Sequence, residues 1–87
     1  MTDQPFVLLT QDHCPQCERL KRMLAGPLRG QFSGQIEIVH RQQHPEEFEH
    51  LTREHGLRST PALIHRPSGQ VLPGPTGLGE VQRFLGR

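Results

Sequence analysis

The chain has 87 residues, with 10 Lys plus Arg against 9 Asp plus Glu and a formal net charge of +1. That balance gives no support for a nucleic-acid or membrane surface, where a clear basic excess is expected, and the length fits one small domain, residues 1–87. Hydrophobic residues make up 32% and Trp and Tyr are absent, so the core must be compact and built from Leu, Ile, Val and 4 Phe.

No apolar run approaches the roughly 20 residues of a membrane span. Met1-Thr2-Asp3-Gln4-Pro5 has neither the basic start nor the apolar stretch of a signal peptide. The resulting expectation is a cytoplasmic monomer with no nucleic-acid or membrane partner. In a reducing cytosol the chain's 2 Cys are better read as catalytic or metal-binding than as a structural staple.

In chain order, Phe6-Val7-Leu8-Leu9-Thr10 is short, apolar and suited to a central strand buried on both faces. Gln11-Asp12-His13 is a loop. Cys14 takes an N-cap-like position and Pro15 the first helical one, where a missing N–H costs nothing. Cys17, Leu20, Met23 and Leu24 then form an apolar stripe at helical spacing, and Gly26-Pro27 stops or kinks the helix. Residues 28–35 read as a connection with at most one more helical turn, under which Leu28 and Phe32 would pack.

Ile36-Glu37-Ile38-Val39-His40 is a second strand, β-branched at three positions. His44-Pro45-Glu46-Glu47 opens a helix whose inner face is Phe48, Leu51 and His55 and whose C-cap is Gly56. Two strand–helix units in succession imply a parallel pair. Ala62 to His65 and Gln70 to Leu72 read as a β-hairpin about the turn Arg66-Pro67-Ser68-Gly69, after which Pro73, Gly74 and Pro75 break the pattern. Thr76 is the expected N-cap of a last helix with Leu78, Val81, Phe84 and Leu85 inward. The expected order is βαβαββα.

The chemistry lies in Cys14-Pro15-Gln16-Cys17. A thiol at a strand-to-helix junction sits on unpaired backbone N–H groups and the positive end of the helix dipole, which favour the reactive thiolate. Cys17 is one turn on, so a disulfide can close between the two. Cys14, nearer the helix start and more exposed, is the expected nucleophile. Cys17, on the inner stripe, would resolve the mixed disulfide. A histidinium at His13 would favour the thiolate, or the residue would gate access, while Asp12 would act against it. A metal or iron–sulfur module using Cys14, Cys17 and His13 is the rival, although these are too few for a closed four-coordinate site. Inert buried thiols are the plainest alternative.

Cys-Pro-Gln-Cys after a strand, Gly56-Leu57-Arg58-Ser59-Thr60-Pro61-Ala62-Leu63-Ile64, and Gly74 with the final helix together resemble the thioredoxin-like superfamily, small thioredoxins and glutaredoxins, over nearly the whole chain. The resemblance implies an α/β fold with a four-stranded mixed sheet flanked by three helices. It implies a thiol–disulfide oxidoreductase, a cytosolic dithiol reductant, with Cys14 and Cys17 catalytic. Thr60 and Pro61, the latter matching the family's cis-proline, with His13, Pro15 and Gln16, would contact substrate. No cofactor beyond the Cys14–Cys17 disulfide and no metal would be needed. Partners would be disulfide-containing proteins or small disulfides, with an NADPH-linked reductase or glutathione as electron donor; a glutathione-linked glutaredoxin is a further alternative. Leu8 stands where thioredoxins carry a buried Asp, so a proton-transfer carboxylate of that type is absent.

Overall fold

The computed structural model describes residues 4–26, 33–58, 60–74 and 77–86. It is an α/β arrangement of one four-stranded mixed sheet and three helices. The strands are β1 (Phe6–Thr10), β2 (Ile36–His40), β3 (Ala62–His65) and β4 (Gln70–Pro73). The helices are α1 (Pro15–Ala25), α2 (Pro45–His55) and α3 (Leu78–Leu85), and a 3-10 turn over Ser33–Gln35, the one further helical turn that the connection over 28–35 allows, leads into β2.

The sheet order is β2-β1-β3-β4. β1 runs parallel to β2, with Phe6 opposite Ile36 and Thr10 opposite His40. It runs antiparallel to β3, with Leu8 opposite Leu63, and β3 pairs antiparallel with β4. β1 and β3 thus each have a neighbour on both sides, and every residue of β1 is buried.

Alternation along β1 divides the core in two. Phe6 and Leu8 join Leu20 of α1, Ile36, Leu63, and Val81, Phe84 and Leu85 of α3. Val7 and Leu9 join Val39, Phe48 and Leu51 of α2, Ala62 and Ile64 on the other face. The aromatic rings of Phe6 and Phe84 lie 5.8 Å apart in a tilted pair. Burying each such side chain contributes roughly 1.5–3 kcal/mol, so the two clusters clamp the helices to opposite faces of the sheet. Met23 and Leu24 are half-buried against the first cluster, and His55 is half-buried.

Three expectations change. Pro73 does not break the hairpin but closes β4 opposite Ala62; an edge strand can carry a proline because its outer N–H faces no neighbour. Leu78 is 39% exposed rather than inward. It is the first residue of α3, and helical side chains tilt toward the N-terminus, which carries this one past the start of the helix and off the core. The residue at the N-cap is Gly77, and Thr76 lies outside the described residues, as do Leu28, Phe32, Pro27 and Pro75. Among the described residues no helix is long and apolar enough to cross a membrane.

Candidate active site

The end of β1 delivers the chain into a short loop. His13 adopts a positive φ of 56°, a conformation that costs a non-glycine residue roughly 1 kcal/mol. The turn it makes puts Cys14 in an extended conformation (φ −121°, ψ 94°) as the N-cap of α1, with Pro15 in the first turn. A cysteine here replaces the usual Ser, Thr or Asp cap. Its Sγ accepts a hydrogen bond from the Cys17 N–H at 3.2 Å.

Cys17 lies one helical turn on, its Cα 5.2 Å from that of Cys14, and the two are joined by a disulfide. Both are buried, Cys14 at 6% exposure and Cys17 at 1%. The sequence expectation that Cys14 is the more accessible sulfur holds only in this relative sense, because the chain returning from α2 covers it.

That return is set by the end of α2. Gly56 takes a left-handed conformation (φ 65°). Its N–H donates to the Arg53 carbonyl at 3.4 Å and the Leu57 N–H to the Thr52 carbonyl at 2.8 Å. This paired closure is the Schellman motif, which needs a glycine at the left-handed position. It turns Leu57 inward, where it packs against the core cluster of α2, and sends the chain toward Cys14. Thr60 arrives with its Oγ1 3.6 Å from the Cys14 Sγ and its carbonyl oxygen 3.8 Å away. In the disulfide the sulfur has no proton, so the Thr60 hydroxyl is the only possible donor of the two; in the dithiol form the Cys14 S–H can donate to the carbonyl. The Thr60–Pro61 bond is cis, as the family resemblance implies. Pro61 is buried, and its carbonyl accepts from the Gly74 N–H at 3.0 Å.

A second tether holds the loop before Cys14. The Gln42 N–H donates to His40 Nδ1 at 3.2 Å, which leaves Nε2 as the protonated nitrogen of the neutral ring. Nε2 then donates to Asp12 Oδ1 at 2.9 Å, and the Asp12 N–H donates to Gln42 Oε1 at 2.9 Å. The Asp12 carboxylate is therefore engaged by β2.

The structure brings together Cys14, Cys17, Thr60 and Pro61. His13, Pro15 and Gln16 sit beside them and are exposed, and the His13 ring has no hydrogen-bond partner among the described residues. No group of three or more metal-ligating side chains comes together among those residues. Sequence reasoning missed the Asp12–His40 tether and the hydroxyl of Thr10, which is fully buried without a hydrogen-bond partner. Nothing in the spacing of Asp12 and His40 marks them as neighbours; only the parallel pairing of β1 with β2 makes them so.

Compared with known proteins, the chain matches no protein-family model and no curated protein sequence.

Proposed function

We propose that the protein is a thiol–disulfide oxidoreductase of the thioredoxin-like class, acting as a cytosolic dithiol reductant. The observation that carries the reading is the Cys14–Cys17 disulfide at the N-terminus of α1 with Thr60 packed on its outer sulfur. The Cys14 thiolate, held by the Cys17 N–H, attacks one sulfur of a substrate disulfide. The substrate S–S bond breaks, one substrate thiolate leaves and takes up a proton, and Cys14 becomes a mixed disulfide. The Cys17 thiolate then attacks Cys14 Sγ and expels the second substrate thiolate. The protein dithiol has lost two electrons and two protons, and the substrate disulfide has gained them. An NADPH-linked reductase, or two molecules of glutathione that leave as one glutathione disulfide, supplies the two electrons and two protons that return the protein to its dithiol form. Disulfide-containing proteins or small disulfides are the substrates, and Thr60, Pro61, His13, Pro15 and Gln16 form the surface that meets them.

Replacing Cys14 with Ser is expected to abolish disulfide reduction, whereas Cys17→Ser accumulates mixed disulfides detectable by mass spectrometry. Near-wild-type turnover of Cys14→Ser would sink the assignment. A redox titration scored by thiol alkylation reads the donor. A midpoint of about −270 mV indicates a thioredoxin-type reductant, and one of about −200 mV a glutathione-linked one.

A further inference from the structure

Next to Thr60 opens a cleft of about 250 Å³ lined by Arg41, Phe48, Thr52, Leu57, Arg58 and Thr60, together with Gln11. Thr60 is thus shared between the cleft and the contact with Cys14 Sγ. The lining contains two guanidinium groups and no carboxylate. On a chain whose formal charge is only +1, that is a local concentration of positive charge beside the disulfide.

Among the described residues Arg41 and Arg58 resemble Arg19, Arg22 and Arg83 in having no acidic partner, and differ from the two ion-paired arginines, Arg53 with Glu49 and Arg66 with Glu37. Arg41 is nevertheless held in place. Its Nη1 donates to Gln11 Oε1 at 3.1 Å, and its guanidinium carbon lies 5.9 Å from the centre of the Phe48 ring. Arg41 thus loses little freedom when an anion binds, and its remaining N–H donors stay available for a planar carboxylate. Phe48 and Leu57 offer apolar surface to the methylene stem of a side chain.

We infer that this cleft receives an acidic side chain of a polypeptide substrate whose disulfide lies at Cys14, the carboxylate resting between Arg41 and Arg58. A polypeptide is favoured because the N–H and C=O of Thr60 have no backbone partner among the described residues. Thr60 both lines the cleft and touches the sulfur, so an extended segment pairing with its backbone would reach the two together. The inference gives the proposed oxidoreductase a substrate class and rests on that reading for its chemistry, but not for its binding.

The test uses short cysteine peptides, linked as disulfide homodimers, that carry either Glu or Gln beside the cysteine. The reduced protein is expected to reduce the Glu peptide roughly tenfold faster in kcat/KM at low salt, as two exposed ion pairs allow. The Glu-to-Gln ratio should fall toward one at high salt and in R41Q/R58Q, with the single R58Q variant, an exposed position, giving an intermediate ratio. A ratio near one in the wild type, or one that persists in R41Q/R58Q, overturns the proposal. So does a dependence on the two arginines seen only with glutathione disulfide, which would make a small tripeptide the occupant. A second arm separates docking from redox chemistry. The Glu peptide with Ser in place of Cys is titrated into the oxidised protein and followed by NMR. Shifts at Arg41, Phe48 and Arg58 in the wild type, with the Phe48 shift lost in R41Q/R58Q, sustain the docking site even if no disulfide is reduced. No shift at these residues overturns it whatever the activity.

Discussion

Thr10 shows how far one residue can depart from its pattern. It ends an apolar strand, is fully buried, and its Oγ1 has no hydrogen-bond partner among the described residues. A buried hydroxyl left unpaired costs about 1–3 kcal/mol. Valine has nearly the same shape and removes the hydroxyl. Thr10→Val is therefore expected to raise stability by about 1–2 kcal/mol in urea unfolding; a loss of stability would show that the hydroxyl has a partner it needs. The cysteines lie at the opposite extreme of legibility. Their spacing and the Pro15 that follows Cys14 contain the local geometry of an N-cap, because a cap depends only on the few residues after it. The left-handed conformation of His13 had no such signal, since the residue type is compatible with ordinary loop geometry as well.

At the scale of elements, the strands and helices follow closely from hydrophobic period and punctuation. α2 starts at a proline with two glutamates in its first turn and ends at Gly56, each a local rule stated in the residues themselves. Gly56 has open space where a Cβ would stand, so a substitution there tests the backbone alone. Gly56→Ala is expected to cost about 1 kcal/mol from the left-handed conformation, measured as a fall in the denaturation midpoint at unchanged slope. An unchanged midpoint would mean that the Schellman closure is not what turns the chain toward Thr60. Leu78 and Pro73 mark where local rules ran out. The helical spacing of Leu78 with Val81 and Leu85 is sound, but whether a core lies beneath the first turn is a property of the neighbours. Pro73 is a breaker by composition, yet on an edge strand the missing N–H has nothing to lose.

For the whole molecule, β1 is the axis on which both clusters depend. Leu8 and Leu9 are adjacent in sequence, each 0% exposed, and face opposite sides of the sheet. Leu8→Ala and Leu9→Ala are each expected to cost about 3 kcal/mol, a large part of the roughly 5–15 kcal/mol available to a domain. Chemical denaturation of each variant checks this, and a cost below about 1 kcal/mol for either would show that one face is not a packed core. The sequence alone determined the alternating faces of the strands, the helical stripes and the placement of a cysteine pair at a helix start. Those are short-range properties, set by side-chain period and capping within a few residues. That Thr60 meets Cys14 across 46 positions of chain was legible only through the family resemblance, and only the tertiary structure decided that Asp12 is held by His40 and that Arg41 and Arg58 share one cleft. Such contacts arise where separate loops converge at one end of a sheet. Their cause is strand order and register, which no local pattern of residue types encodes.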